Sequence, residues 1–256
     1  MRPFCLLLLA VFCLPATAQT LRIDRVHVHV AERDTTANTV PVTFEVAWDG
    51  SWRDGETWDA AWVFAKFERE PGVWADLRFT AEGATATGTA SVVADPLVLP
   101  AGHAGGLLVH RAEDGRGDVR LSVRATWTYG ASFFALPPDG VPVRVLGVEM
   151  VRVPSGPFEV GESVADSLRQ PHAFQSSTGD AYRVASEDAI PVGPEAGALS
   201  YTVAEGEAYI GGDQSGPIPA AFPKGTEAFY VMKLPVTQRQ YADFLSLLPP
   251  RARAAR

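Results

Sequence analysis

Apolar and polar positions alternate with a period of two through much of the first 145 residues. The cleanest run places Leu121, Val123, Ala125, Trp127 and Tyr129 between Arg120, Ser122, Arg124, Thr126 and Thr128, the pattern of a strand with one buried face. Val26, Val28 and Val30 alternate with His27 and His29, and Phe44, Val46 and Trp48 with Thr43 and Glu45. Further strands are expected over 61–67, 73–80, 85–93 and 107–111. Asp49-Gly50, Asp54-Gly55, Pro71-Gly72, Asp114-Gly115 and Asp139-Gly140 supply the turn signals between them. About eight short strands at such spacing predict an antiparallel β-sandwich or jelly roll over residues 19–145.

The pattern changes after residue 146. Residues 141–153 read as one extended run broken by Pro142 and Gly147, so the first domain is expected to pass into the second without a linker. Residues 162–221 are rich in Gly, Ser, Ala, Asp and Pro, with Tyr182, Tyr201, Tyr209 and Ile210 as scattered apolar anchors. Phe229, Tyr230, Val231 and Met232 then form an apolar run that suits a buried strand, and Pro235 blocks its continuation. Thr237 with Gln240 three residues on is a capping box. Tyr241, Phe244, Leu245 and Leu248 follow on one helical face, opposite Gln238, Arg239 and Asp243. Pro249 and Pro250 end the helix. The expected class is mainly β with a small α+β part.

Location follows from the first residues. Arg2, the apolar run 4–14 and Ala16-Thr17-Ala18 have the three-part layout of a secretory signal over 1–18, cleaved before Gln19. No later segment is apolar enough to span a membrane, so the expected location is exported, periplasmic or extracellular. The only cysteines, Cys5 and Cys13, lie in that signal. The mature chain then has no disulfide, thiolate nucleophile or cysteine metal ligand. A net charge of -8 argues against nucleic acid or anionic membrane as the partner. After Pro250 the chain reads Arg-Ala-Arg-Ala-Ala-Arg. Residues 250–256 read either as a tail out of frame, from a frameshifted or truncated gene, or as a natural basic tail.

Two blocks carry a family likeness. Met150-Val-Arg-Val-Pro-Ser-Gly-Pro-Phe-Glu-Val-Gly161 is similar to an opening motif, with Met150, Pro154, Gly156, Phe158 and Gly161 at its fixed positions. Phe229-Tyr-Val-Met-Lys-Leu-Pro-Val-Thr-Gln-Arg-Gln-Tyr-Ala-Asp-Phe244 is similar to a later one, carried by Phe229, Lys233, Pro235, Val236, Thr237, Gln240, Tyr241 and Phe244. In order and content they resemble the N-terminal part of the formylglycine-generating (sulfatase-modifying factor) family. Gln238 replaces the commoner Asn, and a long polar insertion separates the blocks. The resemblance implies a C-type-lectin-like fold over 146–249, incomplete here. It also implies oxidation of a cysteine in a protein substrate to formylglycine. In a full-length catalytic relative that needs copper on a late cysteine pair, and calcium. Neither cofactor is expected in this chain, which lacks the cysteines. The wider family includes non-catalytic members of bacterial gliding and secretion machineries.

Other constellations carry less. His27 and His29 share one strand face, where a metal is conceivable, without a third ligand nearby in sequence; the ordinary polar face of an edge strand is the preferred reading. Trp48, Trp52 and Trp58, interleaved with aspartates, suit a glycan platform or, more simply, the cap of a sandwich core. Arg116-Gly117-Asp118 reads as a hairpin turn, and residues 211–216 as a glycine-rich loop outside any phosphate-binding context. Paired carboxylates such as Glu113 and Asp114 read as solvated charges. Three functions remain: a formylglycine-generating type of enzyme, inactive as written; a non-catalytic scaffold among cell-envelope proteins; and a glycan-binding β-sandwich.

Overall fold

The computed structural model describes residues 20–82, 84–89, 92–100, 102–132, 134–161, 174–193, 195–201, 216–248 and 252. The expected signal over 1–18, most of the 211–216 loop and all of the 250–256 tail but Ala252 lie outside the described residues. The chain is mainly β and divides into two compact units. The first comprises Met1–Trp52, Ala61–Glu149 and Leu234–Arg256; the second comprises Arg53–Ala60 and Met150–Lys233.

The first unit is built on β1 (Arg22–Val28), β2 (Thr39–Asp54), β3 (Thr57–Glu70), β4 (Val73–Leu77), β5 (Phe79–Thr80), β6 (Thr85–Gly88), β7 (Val92–Val98), β8 (His103–Arg111), β9 (Gly115–Thr128) and the first half of β10 (Val143–Val153). Strand order runs β1-β2-β9-β5-β8-β3-β10, and pairing of β2 with β3 closes a ring of five strands. The period of two in the sequence becomes burial. In β9, Val119, Leu121, Val123, Ala125 and Trp127 point inward while the residues between them are exposed or half-buried. With Phe44, Val46, Trp48, Phe67 and Phe79 they form the main core. Each fully buried large aliphatic or aromatic side chain contributes about 1.5–3 kcal/mol.

Three local expectations need correction here. Asp49-Gly50 does not reverse the chain: Gly50, at φ 64°, lies inside β2, which runs on to Asp54. The positive φ is absorbed within the strand, and the reversal falls at Gly55 instead. Gly147 does not break β10 either. A Cβ there would lie 2.8 Å from both Leu21 and Ile23 side chains, so this glycine permits close packing inside a continuous strand. Arg116-Gly117-Asp118 sits in β9 and not at a turn. Arg111 donates to the Gly117 carbonyl (2.7 Å), and Asp118 accepts from the Gly50 amide (3.1 Å).

Helix α1 (Gln238–Ser246) belongs to this unit. The capping box forms: the Gln240 amide donates to Thr237 Oγ1 (3.2 Å), and Gln240 Oε1 accepts from the Thr237 amide (2.9 Å). The expected core-facing stripe does not form. No helical residue is buried, and Tyr241 and Phe244 are 48% and 46% exposed. Leu247, just past the helix, is the residue that goes inside.

The second unit contains β11 (Phe158–Val160), β12 (Phe174–Ser176), β13 (Tyr182–Val184), β14 (Leu199–Tyr201) and β15 (Phe229–Met232). β11 pairs with β13 and β12 with β14, both antiparallel. Its buried cluster is small: Val184, Ile190 and Leu199, supported by Val160, Tyr182, Val192 and Ile218. β15 pairs with the second half of β10 and ends the strand order. The run 229–232 was expected to be buried, yet Phe229, Val231 and Met232 are 44%, 48% and 47% exposed. An apolar run defines a strand but not how many neighbours cover it.

Candidate functional site

The second unit brings the two motif blocks together. Met150 pairs with Met232, Val151 with Val231, Arg152 with Tyr230 and Val153 with Phe229 in one antiparallel ladder. Blocks far apart in sequence thus become neighbouring strands, each fixing the register of the other.

Around that ladder lies a polar and aromatic cluster on the hairpin 53–58. Gly55, at φ 55°, makes the turn, and Arg53 pairs with Trp58. Trp58 Nε1 donates to the Tyr230 hydroxyl at 3.1 Å. Two guanidinium groups approach the same indole: Arg53 at 4.3 Å and Arg152 at 4.4 Å from the ring centroid. Such cation–π contacts contribute about 0.5–1 kcal/mol each at exposed sites. Arg152 also donates to the Glu56 carbonyl. Lys233 Nζ meets Asp59 Oδ2 at 2.9 Å, and Asp59 is 1% exposed. A carboxylate that deep needs a charge-assisted partner, so Lys233 is an electrostatic anchor.

A second polar node closes the unit. Glu187 accepts from the Lys224 amide (2.6 Å), the Thr226 amide (2.7 Å) and the Thr226 hydroxyl (2.7 Å). The Thr226 hydroxyl first, then the surrounding amides, hold this carboxyl at a pKa of about 2. The Lys224 ammonium in turn donates to the carbonyls of Glu187, Pro219 and Phe222. Beside this node is a cleft of about 340 Å³ lined by Pro154, Pro157, Phe158, Gly225 and Phe229 among others. Gly156 lines it too, its amide bonded to the Thr226 carbonyl (2.9 Å).

The fixed positions of the two family-like blocks are divided between the units. Met150, Pro154, Gly156, Phe158, Gly161, Phe229 and Lys233 lie in the second unit; Pro235, Val236, Thr237, Gln240, Tyr241 and Phe244 lie in the first. Gly161, at φ 90°, is obligatory: a Cβ there would lie 1.5 Å from the Phe174 carbonyl oxygen. Trp48 is corrected as a glycan candidate, because at 0% exposure it is core and offers no face to a sugar. Trp52 is half-buried, and the Trp58 ring carries two guanidinium groups. Asp59, Arg152, Glu187, Lys224 and Tyr230 had no local signal. Tyr230 and Trp58 are 172 positions apart, and Lys233 and Asp59 174.

Among the described residues, Glu187 and Glu32 are carboxyls whose pKa values are pushed down. For Glu32 the main cause is its hydrogen bond with Arg124. A general acid or base for neutral pH needs displacement the other way. Among the described residues no group of three or more His, Cys, Asp or Glu is arranged to hold a metal, and no helix is long and apolar enough to cross a membrane. No family model, curated protein or solved structure matches the chain.

Proposed function

We propose that this chain is an exported relative of the formylglycine-generating family that binds a partner in the cell envelope rather than oxidising a cysteine. The observation that carries the reading is the ladder joining Met150–Val153 to Phe229–Met232. The two blocks chosen for their likeness to one family are thereby partners in space. In this reading residues 19–145 are the β-sandwich domain and residues 146–249 the opening of a C-type-lectin-like fold. Residues 14–256 contain no cysteine, so they offer no thiolate to copper. The binding surface is β15, a terminal strand with exposed Phe229, Val231 and Met232. Apolar strand edges of this kind accept a further strand from a partner.

The test has two arms. Purified chain supplied with copper is given a Cys-x-Pro-x-Arg peptide, and no formylglycine is expected by mass spectrometry; turnover overturns the non-catalytic reading. A photo-crosslinking residue is then placed at Val231 or, as a control, at exposed Ser122-flanking Arg120 in the producing cell. A discrete envelope-protein adduct is expected from Val231 alone. Equal adducts from both positions, or none, reject β15 as the binding surface.

A further inference from the structure

We propose that His27, His29 and Thr43 form a binding site for a divalent late first-row transition-metal ion such as zinc, nickel or copper(II). His27 lies in β1 at one edge of the strand order, and His29 follows that strand as the N-cap of a short 3-10 turn, its amide bonded to the Pro41 carbonyl at 2.9 Å. Their ring centroids are 4.6 Å apart, with the planes at 89°. Thr43 on β2 is the cross-strand partner of His27. It also lies against the other histidine: His29 Nε2 is 3.0 Å from Thr43 Oγ1. Two imidazoles and a hydroxyl therefore converge on one patch.

The nitrogen facing Thr43 is the one with a lone pair. His29 Nδ1 lies 3.1 Å from Glu32 Oε1. A carboxylate accepts only, so Nδ1 carries the proton and Nε2 is left as acceptor or ligand. This carboxylate–histidine arrangement is the one that orients imidazoles toward metals. Glu32 is itself held in place by the Arg124 guanidinium at 2.5 Å. His27 is exposed and His29 retains 24% of its side-chain surface. An ion therefore reaches both without repacking the core. Water completes the coordination. Two imidazoles select borderline ions over magnesium and calcium, which prefer oxygen.

The experiment uses the untagged, chelator-treated chain, titrated with zinc chloride by calorimetry while imidazole signals are followed by NMR. One ion per chain is expected, with the His27 and His29 resonances shifting together and unmoved by magnesium. His27→Ala and His29→Ala should each weaken binding at least about tenfold, roughly 1.4 kcal/mol. Glu32→Gln, which touches no ion, should weaken it about 10–100-fold through the orientation of His29. His27 is exposed, so His27→Ala should melt as the parent does, which separates ligand loss from misfolding. Zinc affinity unchanged in His27→Ala, or retained in the double histidine variant, overturns the site. Unchanged affinity in Glu32→Gln overturns the orienting role.

Discussion

Glu187 shows how one side chain closes an irregular segment. Three hydrogen bonds from Lys224 and Thr226 converge on its carboxylate, and the ionised form accepts all three more strongly than the protonated form does. Its pKa consequently falls from 4.5 to about 2. A folded-state pKa below the unfolded one means that the unfolded chain takes up the proton first. The stabilisation is therefore complete above about pH 4.5 and is lost as the pH falls toward about 2. Glu187→Gln should weaken the second unit at neutral pH and flatten its loss of stability over that acid window. Fluorotryptophan NMR can follow this through Trp58, because Trp48, Trp52, Trp62, Trp74 and Trp127 all belong to the first unit. An acid profile of the Trp58 signal identical in both proteins would remove Glu187 from the account. Lys224 acts on the same segment differently: its ammonium bridges three carbonyls that would otherwise turn to water.

At the scale of elements, α1 is held more by its cap than by its packing. With no helical residue buried, the helix lacks the tertiary burial that usually stabilises a segment of nine residues. The reciprocal Thr237–Gln240 bonds fix its first turn. Thr237→Ala should therefore cost about 1 kcal/mol locally. It should appear as faster amide hydrogen exchange over 238–246, with the exchange of β9 unaltered; equal exchange in the parent and variant helix would contradict the capping argument. This helix also marks the limit of what local pattern conveys. Its start and cap were legible because capping chemistry is confined to four consecutive residues, whereas it ends at Ser246, short of the expected stop at Pro249 that would have kept Leu248 on its face. β9 was legible because alternation and burial are the same fact in a strand with one covered face. Exposure of Tyr241, Phe244 and Phe229 was not legible, since periodicity names an apolar face without naming what meets it. The Trp58–Tyr230 and Lys233–Asp59 pairs were illegible for a related reason: each partner is polar or aromatic in an ordinary local setting, and only the fold brings them together. Gly50 and Gly147 were misread because glycine serves both turns and close-packed strands.

At the scale of the whole molecule, the two units differ in how much apolar surface they bury. The first has an extensive core that includes Phe44, Trp48, Phe67, Phe79 and Trp127. Among the described residues the buried cluster of the second is Val184, Ile190 and Leu199. At about 1.5–3 kcal/mol for each such side chain, that cluster contributes less than about 10 kcal/mol. Ordering the backbone costs about 1–2 kcal/mol per residue, so the second unit leans on polar nodes such as Glu187 and the Lys233–Asp59 pair. It should open at lower free energy than the first, as regions with few buried apolar contacts do. Urea unfolding followed by fluorotryptophan NMR should then show the Trp58 resonance changing before that of Trp127. Limited proteolysis should cut first within 150–233. Leu199→Ala should deepen the separation, removing about 2–3 kcal/mol from the second unit while the Trp127 transition stays where it was. If Trp58 and Trp127 change together in both proteins, the chain is a single cooperative unit and the small cluster is not its weak point.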